Sequence, residues 1–207
     1  MGRARPMARE PRGIAAFALI LACAGCSVAP SPGSVTASYD FGPPPEGRQA
    51  AGLRQALLVH DVSAPAWLDS PFIYYRLAYQ DATRPQAYAD SRWIGSPVEL
   101  FTNRLRRQLA ASGAGIIQPG DDARANYALR VDLEEFVQVF EAPGKSKAVV
   151  RFRASVLGKR SLAAQRSFSV ERPAKTPDAE GGVRALIGAS DEAVDQLLGW
   201  TAQQLKD

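Results

Sequence analysis

The stretch from Tyr127 to Val170 constrains the fold of this chain more than any other. Its side chains run in three segments, YALRVDLEEFVQVF, KAVVRFRASVL and LAAQRSFSV, separated by Pro143-Gly144 and by Gly158-Lys159-Arg160. Alternation of apolar and polar residues marks strands with one buried face, and Gly or Pro interruptions mark chain reversals. The three segments read as an antiparallel meander. In the first, Tyr127, Leu129, Val131 and Leu133 share one parity, whereas Phe136 and Phe140 fall on the other. A bulge near Glu134-Glu135 would restore a single apolar face. In the second, Val150, Phe152, Ala154 and Val156 face one way and Arg151 and Arg153 the other.

Upstream, ALLVHDVSAP predicts a buried strand over Ala56–Val62, ended by Pro65, and PFIYYRLAY predicts another over Ile73–Tyr79. QAYADSRW reads as a short extended piece before Trp93. A helix follows in SPVELFTNRLRRQLAASG. Ser96 suits the N-cap, Pro97 the first helical position, Glu99 the third, and Gly113 the position just past the end. Val98, Phe101, Leu105 and Leu109 form its apolar stripe, with Glu99, Asn103, Arg106 and Arg107 largely opposite. Arg104, Arg106 and Arg107 read as a solvated face, with a partner or acidic headgroups as the alternative. A second long helix starts at Thr176-Pro177-Asp178. Val183, Leu186, Ile187, Val194, Leu197, Leu198 and Leu205 give its stripe, Gly181, Gly182 and Gly188 weaken its first turns, and Trp200 belongs on the sheet. The fold class is α+β: an antiparallel-rich sheet with two helices packed on one face.

The amino-terminal segment is of another kind. Arg3, Arg5, Arg9 and Arg12 precede ten mostly apolar residues, Gly13 to Ala22, then Ala24-Gly25 and Cys26. This is the order of a secretory signal peptide. Ten helical residues reach roughly 15 Å, half of a ~30 Å hydrocarbon core, so the segment is too short to span. It keeps Arg9 and Arg12 whether Met1 or Met7 is the start. Small residues before a cysteine at the end of the apolar run resemble a bacterial lipobox. In that pathway the thiol receives a diacylglyceryl group, the peptide is cut before the cysteine, and the new amino terminus takes a further chain such as palmitate. Residues 1–25 are then the signal peptide and Cys26 the lipid anchor. Cys23 stands where leucine is usual and is the weaker alternative anchor, because Leu21 is bulky. A residue other than Asp after Cys26, here Ser27, favours the outer membrane. Ser27 to Gln49 is rich in Pro, Gly and Ser and reads as a tether, with Pro43-Pro44-Pro45 extended and Tyr39-Asp40-Phe41 as a short strand or docking contact. The folded domain is expected over residues 50–207.

Charge argues against nucleic acid. The formal net charge is +4. Without residues 1–25, 21 basic and 20 acidic residues remain, which is no footprint for a phosphate backbone. The chain has two cysteines and one histidine, too few for a zinc site, and shows no Gly-x-Ser-x-Gly elbow, P-loop or His-Glu-x-x-His motif. No catalytic residue, cofactor or metal is assigned. His60 and Asp61 are neighbours in a strand and point to opposite faces, so His60 reads as structural. Glu134-Glu135 fails as a carboxylate dyad for the same reason unless the bulge realigns it, and Asp121-Asp122 is a turn. Tyr74, Tyr75 and Trp93 read as core or half-buried, with a partner surface as the alternative. A sheet of this size with an exposed edge could also pair between copies of the chain.

The ordered set of motifs resembles the ABC-type transport auxiliary lipoproteins, the outer-membrane partners of Pqi-type and other MCE-domain systems. The residues that carry it are the lipobox cysteine and Pro-rich tether, ALLVHDVSAP, PFIYYRLAYQ, YADSRWIGSPVELFTNRLRRQLAASG, YALRVDLEEFVQVF and the final helix with its Trp. The resemblance implies a non-enzymatic docking component in lipid transport between the inner and outer membranes. An ABC permease and ATPase would sit at one end, with MCE proteins bridging the periplasm. It also implies a fold like the amino-terminal domain of TolB, the periplasmic Tol-system propeller protein. An assembly or pilot lipoprotein of another outer-membrane machine is the nearer alternative, and an envelope hydrolase the more distant one.

Overall fold

The structure is a computed structural model, and the residues it describes are 1–2, 36–45, 53, 55–159 and 161–205. The chain divides into two units, residues 1–33 and 34–207, and the described fold is that of the second. Its elements are strand β1 (Ala37–Tyr39), β2 (Leu57–Val59), a 3-10 turn (Ala66–Leu68), β3 (Phe72–Leu77), β4 (Pro85–Trp93), helix α1 (Pro97–Ala111), β5 (Ile116–Ile117), β6 (Tyr127–Ala142), β7 (Lys145–Leu157), β8 (Leu162–Pro173) and α2 (Ala179–Gln204).

The meander forms as its alternation requires. β6 pairs antiparallel with β7 from Ala128↔Leu157 to Ala142↔Lys145, and β7 pairs antiparallel with β8. The register slips between Leu133 and Glu135, so Glu134 is the extra residue of a bulge. Leu133 lies opposite Phe152 and Phe136 opposite Val150, so both apolar runs of β6 reach the same face. The other edge of β6 is shared. β2 runs parallel to its start at Leu57↔Tyr127, and β3 runs parallel to its end at Tyr75↔Gln138. β4 is antiparallel to β3, β1 is parallel to β4, and β5 is parallel to β2. The sheet is therefore mixed, with long antiparallel ladders and short parallel ones.

Both helices lie on one face of this sheet. Rings mark the contact: Phe101 of α1 meets Phe152 of β7 at 5.8 Å, Phe152 stacks on Phe168 of β8 at 4.8 Å, and Phe168 meets Trp200 of α2 at 5.7 Å. Burying a Phe or Leu side chain of this kind contributes about 1.5–3 kcal/mol.

The helix ends follow their sequence signals. Ser96 Oγ accepts from the Glu99 amide at 3.2 Å with Pro97 behind it, and Gly113, at φ +84°, takes the left-handed position after α1. At α2, Asp178 Oδ1 accepts from the Gly181 amide at 2.7 Å and from Thr176 Oγ1 at 2.8 Å. The Gly181 amide and then the Thr176 hydroxyl hold the Asp178 carboxyl below its usual range. A depressed carboxyl contributes stability above its unfolded pKa and loses it as pH falls through the folded one. Asp178→Ala should thus cost about 1 kcal/mol near neutral pH. In urea unfolding the gap between wild type and variant should close as pH drops below about 4.

Three expectations need correction. The boundary near Ala50 is too late: β1 joins the sheet and the Phe41 ring is buried in the core, so the segment expected as tether supplies part of the domain. β2 is shorter than Ala56–Val62, because beyond Val59 the backbone follows β6 irregularly. His60 N donates to Leu129 O, Val62 N donates to Thr102 Oγ1, and Ser63 N donates to Val131 O. Finally, the extended piece before Trp93 is a strand of nine residues.

Candidate functional site

Cys26, the expected anchor, lies outside the described residues, as do Cys23, Met7 and the signal segment from Arg3 onward. From Thr36 onward the segment that leads from Cys26 is fastened to the domain. Thr36 Oγ1 accepts from Arg92 Nη2 of β4 at 3.1 Å. β1 then runs along β4. Past it, Phe41 stacks on Phe136 at 6.0 Å and meets Trp93 edge-on at 5.5 Å.

Residues 41–43 are held by one side chain. Arg104 of α1 is 2% exposed. Its guanidinium donates to the carbonyl oxygens of Phe41, of Gly42 at 3.0 Å and of Pro43 at 3.4 Å. The same group pairs with Asp191 of α2, Nη1 to Oδ1, at 3.0 Å. Gln108, one turn along α1, reaches Asp191 at 3.4 Å. Arg suits this position because its planar fork presents several donors in fixed directions. The arrangement ties three pieces together: the entering strap, α1 and α2. Beside it a cavity of about 180 Å³ opens between the strap and α1, lined by Asp40, Glu99, Asn103 and Arg107 among others. A smaller one, about 80 Å³, lies where Pro44 and Pro45 cross Gln108 and Leu198.

The reading of three solvated arginines is therefore corrected. Only Arg107 is exposed. Arg104 is buried because it finds a carboxylate and three carbonyls, and Arg106 folds back onto Asp61 at 2.8 Å and Val59 O at 3.2 Å. The other singled-out residues stay apart. His60 is half-buried just past β2; burial and then Arg130 hold its imidazole below the usual value, and no basic role follows from its place. The bulge separates the glutamates: Glu134 is exposed, while Glu135 is buried between Arg76 and Arg151, the latter at 2.9 Å. Trp93 is 1% exposed, and Tyr74 and Tyr75 are half-buried. Among the described residues no cluster of His, Cys, Asp or Glu could hold a metal ion, and no helix is long and apolar enough to cross a membrane.

Residues 39–198 match the family of the ABC-type transport auxiliary lipoprotein component. The chain belongs to this family. The match takes in the part of the fastening of this auxiliary lipoprotein that runs from Phe41 through Arg104 to Asp191. Among solved structures, protein XCC0632 from Xanthomonas campestris superposes with a TM-score of 0.68 at 24% identity, over 78% of this chain and 90% of that one. A second, uncharacterized protein gives a TM-score of 0.62 at 15% identity, over 80% and 99%. Both speak for the fold of the auxiliary lipoprotein. No protein of curated function matches the chain.

Proposed function

We propose that this auxiliary lipoprotein is acylated at Cys26, held at the outer membrane of a Gram-negative bacterium on its periplasmic face, and serves as a non-enzymatic docking component of an MCE-type, Pqi-like ABC lipid transport system. The observation that carries the reading is the family match over residues 39–198. The strap supports it. Arg104 fastens the segment that leads from Cys26 to the body of the domain through α1 and α2. Ser27 after the cysteine supports delivery to the outer membrane. The two helices on one face of the sheet support the likeness to the amino-terminal domain of TolB. β8 has no strand partner on its outer edge among the described residues, and this is where copies of the chain would pair.

Affinity purification of the tagged full chain from detergent-solubilised membranes tests the docking role. MCE-domain protein and ABC permease in the eluate are the expected result. Enrichment of a secretion or lipopolysaccharide-insertion machine instead would favour the assembly-lipoprotein reading.

A further inference from the structure

The face of the sheet opposite the helices carries a group of rings that the fold covers only in part. Trp67 of the 3-10 turn meets Tyr74 edge-on at 5.1 Å, and Tyr74 meets Phe72 at 6.1 Å. Arg76 lies 5.9 Å from the centre of the Trp67 ring. Trp67 and Tyr74 are half-buried, and Phe72 is 49% exposed. Directly opposite Phe72 in the β3–β4 register stands Arg92, also exposed. Arg76 is paired with Glu135, whereas Arg92 has no carboxylate partner among the described residues and bonds to the Thr36 hydroxyl.

That last bond locates the patch relative to the anchor. Thr36 is ten residues from Cys26, a span of no more than about 36 Å even fully extended. The exposed Phe72 ring and the Arg92 cation, with the half-buried Trp67 and Tyr74 beside them, therefore lie within reach of a membrane that holds Cys26. Trp, Tyr and Phe beside an arginine is the composition of a surface at headgroup level: the rings enter the apolar boundary and the guanidinium meets phosphate. An exposed aromatic group away from any partner would otherwise be a liability.

We propose that this face, formed by Trp67, Phe72, Tyr74 and Arg92, rests on the phospholipid surface that holds the acyl chains. It orients the domain on the membrane instead of leaving it to swing on its tether. The inference rests on the reading of Cys26 as the anchor.

Tryptophan fluorescence in vesicles tests it. The mature chain is reconstituted in phosphatidylethanolamine–phosphatidylglycerol vesicles with either ordinary or brominated acyl chains. Trp93 and Trp200 are buried at 1% and 7% exposure, so bromine should reach Trp67 alone. Emission should fall by about a third in brominated vesicles, the share of one tryptophan in three. Trp67→Phe should remove that quenched component. Phe72→Asp and Arg92→Glu, both on exposed residues, should abolish the quenching while the protein still floats with the vesicles. Leu162→Asp, at an equally exposed apolar residue on β8, should keep it. Flotation reads the anchor and quenching reads the patch. A protein that floats without quenching, or a Phe72→Asp variant quenched like wild type, overturns the proposal and assigns the face to a protein partner. Quenching without flotation upholds the patch and removes the anchor. Neither signal overturns both.

Discussion

Arg104→Ala should destabilise the domain by about 3–5 kcal/mol, the cost of breaking a buried ion pair from one side. The effect exceeds that of an exposed pair because the side chains of Arg104 and Asp191 are 1% and 7% exposed. Removing the guanidinium leaves the Asp191 carboxylate in a site built for its partner and takes the donor away from three carbonyls of the strap. At about 2–4 °C per kcal/mol for a domain of this size, thermal unfolding should fall by roughly 6–20 °C. Arg104→Lys separates charge from geometry. It restores a cation near Asp191 but cannot fork to the carbonyls, so its stability should fall between wild type and Arg104→Ala. Hydrogen exchange provides a second readout: the amides of residues 37–42 should lose protection in both variants, well before those of β6 and β7. Equal stability of wild type and Arg104→Ala would mean that the fastening is incidental to the fold.

Gly182→Ala should destabilise by about 1–3 kcal/mol, against the ordinary preference of helices for alanine. A Cβ on Gly182 would stand 2.0 Å from Gln138 Oε1 of β6. Gln138 is fully buried and cannot swing aside. Its Oε1 accepts from Tyr88 Oη at 2.8 Å, and its Nε2 donates to Ser146 Oγ at 2.8 Å. The Tyr88 phenol, pushed upward in pKa chiefly by burial and then by Tyr75, stays protonated as the donor throughout the neutral range. The added methyl must move either the amide or the first turns of α2. Gly199→Ala is the matched control on the same helix. Nothing lies within 4 Å of a Cβ there, so it should stabilise by up to about 1 kcal/mol. Urea unfolding of the two variants should give shifts of opposite sign. Gly182, which propensity reads as weakness, therefore lets the helix approach the sheet.

The long elements were legible because each repeats one signal many times. The meander, its bulge at Glu134 and both helix starts follow from alternation, parity and capping residues, all local properties. β5 escaped because a strand of two residues carries too little alternation to register, and β1, expected as a short strand or docking contact at Tyr39-Asp40-Phe41, lies two residues earlier, at Ala37–Tyr39; both exist only through partners distant in sequence. Arg104 escaped for another reason. Charge was read ahead of position, although Arg104 lies three residues past Phe101 and beside Leu105, on the margin of the buried stripe. Asp191 carried the matching signal: it falls four residues past Ile187 and three before Val194, within the apolar stripe of α2. A cation and a carboxylate, each placed on the buried side of its own helix, could have been paired from sequence alone, because buried charges require partners. The aromatic patch gave no such notice, since a Trp in a short turn and a Phe at a strand start look the same whether covered or bare.

In the proposed function the strap held by Arg104 leads back to a lipid anchor at Cys26. Intact mass measurement of the mature protein from membranes, beside Cys26→Ala, tests it most directly. The expected native chain begins at Cys26 and carries acyl groups, with neither cleavage before residue 26 nor acylation in the variant. An unacylated native chain, or one that retains residues 1–25, would contradict it.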